Sequence, residues 1–249
     1  MEKKKILFLI HELSMGGAQR VTSTLANEFE EKNYETHVLL FTKKGELLET
    51  LNKGIIVHYL DVKKVSFGIP KMIKILLSEK PDIVFSMITH VTLLLAIFIP
   101  FLKLFLKKTT FLMREVSIPS QRIKYIQKAK QKTFLYKRFI LNFDYIVAQS
   151  NFMKEDMVQT YNIREKRIFV INNPLNLQNI HNKSNKDEKV PFNSFQINLL
   201  ATGRLGREKR FHKLLELMPI LGDNFHLNII CLNHILFHKI RLSHNIIKI

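Results

Sequence analysis

The sequence predicts an α/β fold with a parallel sheet, followed by a second, smaller unit of the same kind. Three observations carry this. Short apolar runs alternate with amphipathic stretches through about the first 170 residues, and strand–helix alternation is the pattern of a parallel sheet covered on both faces. Of the 249 residues, 46% are apolar, enough for a packed core and against wholesale disorder. A polar stretch rich in Asn and Lys, Asn172 to Ser194, then interrupts the pattern before strand, loop and helix resume.

Taken in order, Lys5–Ile10 reads as a first buried strand with a basic lead-in. Its five-residue apolar run is too short for a secretion signal, and no small-residue cleavage site follows. Gly17–Lys32 reads as a helix, with Val21, Leu25, Ala26 and Phe29 on one face. Strands follow at Glu35–Phe41 and Gly54–Leu60, a helix at Pro70–Lys80, and a strand from Asp82. The apolar run Val91–Leu102 is shorter than the roughly 20 residues a membrane-spanning helix needs. It reads either as a helix buried behind the sheet or as one lying in a membrane interface. Thr109–Arg114 is a strand, Arg122–Asn142 a long helical stretch, Tyr145–Gln149 a strand, Asn151–Tyr161 a helix and Arg167–Ile171 a strand. Beyond the polar stretch come the strand of "FQINLLATGR", the helix of "EKRFHKLLELMPIL" and the strand of "FHLNIICL".

Composition narrows the partners. The single cysteine, Cys231, excludes an internal disulfide framework and a cysteine-based zinc cluster, and it fits a reducing cytoplasm. The net charge of +18 has two competing readings. One is attraction to an anionic partner such as lipid, a nucleotide-sugar or nucleic acid. The other is compositional bias, since Lys, Ile, Asn and Phe are all abundant. Nucleic acid is not expected, because the basic residues are not interleaved with stacking aromatics at the loop ends. The stretch "QRIKYIQKAKQKTFLYKRFI" places seven basic residues and no acid between Arg122 and Arg138. A basic amphipathic helix of this kind suits an anionic membrane surface, and equally a solvated basic face.

In open parallel sheets, ligands bind beyond the carboxyl ends of the strands. Those ends are His11–Gly17, Phe85–His90, Arg114–Ser120, Ser150 and Asn172–Leu175. Gly16 and Gly17 in "SMGGAQR" stand between the first strand and first helix. Glycine there lets a ligand approach the backbone, and the helix N-terminus favours an anion. The spacing is not GxGxxG, so a nicotinamide cofactor is not expected. In "ATGRLGREKRFHKLLEL", Arg204 and Lys209 bracket a glycine-containing loop before a helix. Two fixed cations there suit a diphosphate, the arginine through a forked pair of hydrogen bonds. A solvated basic turn accounts for the same residues.

"GGAQRV…LANEF", "MREVSIPS", "AQSNFMKEDM", "VINNPL" and "GRLGREKRFHKLL" occur in the order found in family 4 glycosyltransferases of the GT-B fold. The sequence resembles that family over about residues 4 to 230. The resemblance implies a Rossmann-like acceptor domain (1–173), a linker (174–194) and a nucleotide-sugar domain (195–249). It implies transfer of a hexose or N-acetylhexosamine from a nucleotide-sugar, a UDP-sugar by expectation, to a lipid-linked oligosaccharide, lipopolysaccharide or capsule acceptor. Retention at the anomeric carbon, no cofactor, no bound metal and a cytoplasmic place at the inner membrane face go with it. By resemblance, Arg204 and Lys209 stabilise the departing diphosphate, and Gly16 and Gly17 admit the acceptor and phosphate. His90 touches the sugar, Arg114 and Glu115 of "REVSIPS" line the cleft, and Asn173 of "VINNPL" contacts substrate. Residue by residue, a capping or partly buried role for His90 and a surface Arg114–Glu115 ion pair remain open.

One departure stands out. After "HLNII" the family continues with a glycine-rich turn and further units carrying a glutamate pair for the nucleotide ribose and donor sugar, whereas this sequence reads "CLNHILFHKIRLSHNIIKI". The expectation is a second domain truncated by a premature stop or frame change. Its consequence is weak or absent activity, or a non-catalytic module that binds acceptor or membrane. His234 and His238 stand at i, i+4, but their basic context and the absence of a nearby carboxylate argue against a metal there.

Overall fold

A computed structural model describes residues 3–125, 129–175, 177–184, 197–203, 206, 209–230, 240–242 and 245–247. The chain divides into two compact units, Met1–Ile180 and His181–Ile249.

The first unit is a seven-stranded sheet. Its strands are β1 Lys5–Ile10, β2 Glu35–Leu40, β3 Ile56–Tyr59, β4 Ile83–Ser86, β5 Thr110–Arg114, β6 Tyr145–Ala148 and β7 Ile168–Val170. They lie in the order β3-β2-β1-β4-β5-β6-β7, every pair parallel. The near-continuous apolar runs follow from burial on both faces: Leu7, Leu9 and Leu39 pack with one core and Phe8, Ile10 and Val38 with the other. Helices α1 Gly17–Glu31, α2 Ile69–Glu79, α3 Thr89–Phe105, α4 Pro119–Tyr125, α5 Ala129–Ile140 and α6 Asn151–Tyr161 make the connections. Ser150 caps α6 by accepting from Met153 N–H at 3.2 Å.

Helix α3 extends the predicted apolar run at both ends. One face, with Val91, Leu95, Ile99 and Leu102, is buried, while Ile97, Phe101, Leu104 and Phe105 are exposed. Pro100 lies inside it. A proline lacks the N–H that would bond the carbonyl four residues back, and Asn142 Nδ2 donates to that Ala96 carbonyl instead, at 2.8 Å. Among the described residues no helix is long and apolar enough to cross a membrane.

The single helix read over Arg122–Asn142 is two helices. The Arg122 guanidinium stacks over the Tyr136 ring at 4.5 Å, whereas fourteen residues of continuous helix would separate them by about 21 Å. Helices α4 and α5 therefore pack against each other, and Arg122 is half-buried against α5 rather than set on a solvated basic face. The polar stretch after β7 also differs from expectation, since α7 Leu177–Ser184 forms within it.

In the second unit, β8 Ile197–Thr202 and β9 Phe225–Ile230 pair in parallel. Helix α8 Phe211–Leu221 connects them, a βαβ unit as the pattern predicts. Strands β10 Ile240–Leu242 and β11 Asn245–Ile247 form a short antiparallel pair that the sequence reading did not anticipate.

Candidate active site

The sheet reverses its winding between β1 and β4. From β1 the chain moves outward to β2 and β3, then returns to place β4 on the other side of β1. Loops leaving two such strands diverge and open a crevice at their carboxyl ends.

The loop after β1 forms one wall and is held by backbone. Leu13 N–H donates to the Lys44 carbonyl (3.0 Å), Leu47 N–H to the Leu13 carbonyl (3.0 Å), and Met15 N–H to Glu46 Oε2 (3.1 Å). Gly45, at φ +123°, is the glycine this corner requires, because a Cβ there would fall 1.9 Å from the Leu13 carbonyl carbon. Gly16 is extended (φ −166°), a conformation open to any residue. A Cβ on Gly17 would meet nothing within 4 Å. Helix α1 starts there without a side-chain cap, so its first N–H donors are available to an anion.

His90 stands across the crevice, in the first turn of α3. The α3 N-cap is Ile88, so His90 is not a cap. Its ring meets that of His11 edge to face, centroids 5.1 Å apart, and His11 stacks on Phe41. Burial and the neighbouring His11 push the His90 pKa below its ordinary value, with Glu12 acting the other way. His90 is therefore neutral at pH 7 and can donate from one ring nitrogen and accept at the other. His11 escaped the sequence reading as an individual residue. Its Nδ1 is buried with no hydrogen-bond partner among the described residues, a feature visible only in three dimensions.

Three strand ends further along the sheet meet at Arg114, Gln149 and Asn173. Arg114 Nη2 donates to Asn173 Oδ1, Asn173 Nδ2 donates to Gln149 Oε1 at 3.2 Å, and Gln149 Nε2 donates to the Glu115 carbonyl at 2.8 Å. Arg114 is buried and Asn173 exposed. Burial lowers the Arg114 pKa, opposed by Glu115, though an arginine stays charged regardless.

Glu115 is wholly buried, which rules out the surface ion pair with Arg114. Its carboxylate accepts from Tyr136 Oη (2.9 Å), Val116 N–H (3.0 Å) and Ser117 N–H (3.4 Å), and Arg122 Nη1 lies 3.5 Å away. Arg122 in turn donates to the Tyr161 hydroxyl and approaches Thr89 Oγ1 at 3.5 Å. Burial raises the Glu115 pKa, with Arg122, Tyr136 and the two N–H groups pulling it back. Every partner of this carboxylate is internal, so its geometry is that of a brace joining β5, α4 and α5, one contact from the start of α3.

In the second unit, Arg204 lies outside the described residues. Lys209 is exposed and makes no ion pair among the described residues. Its aliphatic stem lies at ordinary contact distance, 3.4 Å, from where a Cβ on Gly203 would sit, and the backbone there, at φ +152°, is one that glycine adopts more readily than other residues.

The seven-stranded parallel sheet followed by a βαβ unit has the α/β architecture of the GT-B class, which the likeness to solved structures bears out. Residues 15–179 match the family described as Glycosyltransferase Family 4, and the chain belongs to it. The capsular polysaccharide biosynthesis glycosyltransferase CapH of Staphylococcus aureus is 29% identical over 229 residues, 90% of this chain and 60% of that protein. Among solved structures, HepE of Anabaena with UDP and glucose aligns at TM-score 0.64 and 16% identity, over 92% of this chain and 62% of that one. The lipopolysaccharide outer core galactosyltransferase WaaB aligns at TM-score 0.57 and 18% identity, over 90% and 60%. The chain thus spans about three fifths of the length of these relatives.

Proposed function

We propose that this protein takes part in sugar transfer from a nucleotide-sugar to a membrane-associated glycan acceptor, with residues 1–173 as the acceptor side and residues 195–249 on the nucleotide side of a 174–194 linker. The observation that carries this is the meeting of His90, after β4, with His11, after β1, at adjacent carboxyl strand ends, where the loop from β1 leads through an open glycine to an uncapped helix start. A nucleotide-sugar donor is supported by the relative solved with UDP and glucose, and a capsule or lipopolysaccharide acceptor by the roles of CapH and WaaB.

In the reaction, the bond between the anomeric carbon and the donor diphosphate oxygen breaks as the acceptor hydroxyl oxygen bonds that carbon and passes its proton to the departing diphosphate. Negative charge grows on the diphosphate, so cations there stabilise the transition state more than the ground state. Arg204 and Lys209 take that role, His90 hydrogen-bonds a sugar hydroxyl, Gly16 and Gly17 leave room for acceptor and phosphate, and Arg114 and Asn173 contact substrate. Glu115 acts by holding Arg122 and the β5 end in place. The product retains the anomeric configuration.

Docking at the inner face of the cytoplasmic membrane brings the acceptor to this crevice. It is supported by the exposed Phe101, Leu104 and Phe105 of α3 and Phe134 and Leu135 of α5, two helices packed on each other, with Lys107, Lys108, Lys137 and Arg138 exposed on the same elements or just after them.

The test is binding, then transfer. The 249-residue chain is titrated with UDP and with lipid-linked acceptors, then supplied with UDP-glucose, UDP-galactose or UDP-N-acetylglucosamine. Saturable acceptor binding that His90→Ala and Arg114→Ala weaken, with sugar transfer, supports the reading. A chain that binds acceptor in the crevice but transfers nothing supports a non-catalytic acceptor-binding module, and one that binds neither ligand overturns both.

A further inference from the structure

We infer that His37, His58 and Glu79 form a binding site for a divalent transition-metal ion of the zinc type, at the end of the sheet opposite the crevice. Lys5 and Glu35 open β1 and β2 side by side. His37 lies two residues on from Glu35 and therefore on the same face. His58 comes to that face from β3, where its neighbour-but-one Ile56 pairs with His37, and Glu79 is the last residue of α2.

The three donor atoms lie within 4.8 Å of one another. His37 Nδ1 is 2.8 Å from His58 Nε2 and 3.8 Å from Glu79 Oε2. Zinc–nitrogen bonds of about 2.0–2.1 Å put tetrahedral ligands about 3.4 Å apart. The two separations bracket that value, and rotation of the His58 and Glu79 side chains would bring all three donors to it.

The surroundings are those of a metal-binding histidine. His37 is buried, and its other nitrogen, Nε2, lies 3.0 Å from Glu35 Oε1. A carboxylate on the far nitrogen fixes the tautomer and leaves Nδ1 with its lone pair. Lys5 Nζ is 2.9 Å from Glu35 and 3.1 Å from Glu79. One ammonium thus faces two carboxylates, which leaves negative charge beside two imidazoles. Glu79 has two carboxylate oxygens, so one can stay with Lys5 while the other turns to the ion. Two imidazoles and a carboxylate suit zinc better than magnesium or calcium, which take oxygen ligands. Such an ion would clasp the outer strands β2 and β3 to the end of α2, away from the chemistry.

The test uses the untagged 249-residue chain, stripped with EDTA and titrated with Co²⁺, then Zn²⁺. The expected result is one equivalent of Co²⁺ with a tetrahedral visible spectrum, displaced by Zn²⁺, and a melting temperature that rises with free Zn²⁺. His58→Ala and Glu79→Gln, checked for folding by circular dichroism, lose stoichiometric binding. Glu35→Gln weakens it about tenfold, as loss of an outer-shell carboxylate does. A His234→Ala/His238→Ala variant keeps it, which separates this site from the C-terminal histidines. Absence of binding in the parent chain would show an internal hydrogen-bond chain only and overturn the site. Binding that survives both His58→Ala and Glu79→Gln, or that disappears in the His234/His238 variant, overturns it as well.

Discussion

At the scale of single residues, the buried carboxylate and the tight glycine make separable predictions. Glu115→Ala leaves the half-buried Arg122 without its anion and should cost less than the about 3–5 kcal/mol of breaking a fully buried pair from one side. Urea denaturation at pH 7 should show it. Glu115→Gln should cost less, because the amide can still accept from Tyr136 and the two N–H groups. The pH dependence has a definite sign. The unfolded chain releases this proton near pH 4.5, the folded chain at higher pH. The stability that the protonated carboxyl supplies is therefore complete below pH 4.5 and is lost as pH rises through the folded value. Between there and neutrality, the stability difference should move in favour of Glu115→Gln. The glycines divide in the same way. Gly45→Ala, strained at φ +123° and against Leu13, should cost more than about 1 kcal/mol, whereas Gly17→Ala has open space and a helical position, and should keep or raise the melting temperature while weakening acceptor binding. The sequence showed the glycine pair but not Gly45, whose constraint comes from a residue 32 positions earlier. Likewise "REV" was legible as a motif, but the burial of Glu115 was not, since Tyr136 lies 21 residues away and on another helix.

At the scale of elements, helix α3 accommodates its proline because Asn142 bonds the Ala96 carbonyl. Asn142→Ala should leave that carbonyl unpaired and destabilise the first unit by about 1–3 kcal/mol, visible as a lower melting temperature and faster amide exchange in α3. The elements that sequence patterning placed well are those whose signal is local. Strands β1, β2 and β4–β6 are short apolar runs bounded by polar residues, and each emerged within a residue or two. The division into α4 and α5 is not legible in the sequence, because basic and apolar residues keep a helical rhythm from Arg122 to Arg138. What shows it is the tertiary contact between Arg122 and Tyr136, which no local period encodes. Helix α7 was missed for the opposite reason, since Asn-rich composition outweighed an eight-residue pattern. The metal cluster draws on two strands and a helix, so no spacing within one segment announces it.

At the scale of the whole molecule, the proposed membrane docking draws on the net charge of +18 and on the exposed phenylalanines of α3 and α5. Flotation with vesicles containing anionic phospholipid should retain the protein at low salt. Raising ionic strength past the point where the Debye length falls below about 8 Å should release much of it. Lys107→Glu/Lys108→Glu should weaken binding by about 1 kcal/mol per lysine removed, and Leu104→Ser/Phe105→Ser should leave a smaller, salt-sensitive residue of binding. The sheet order has a further consequence for how the chain is made. Strand β1 is an inner strand of the sheet, and its second neighbour is Ile83–Ser86, far along the chain. A nascent chain must therefore carry this apolar segment with an open edge until the strand some eighty residues beyond it has emerged, the interval in which a holdase chaperone would find it and in which a pause in translation would do the most harm.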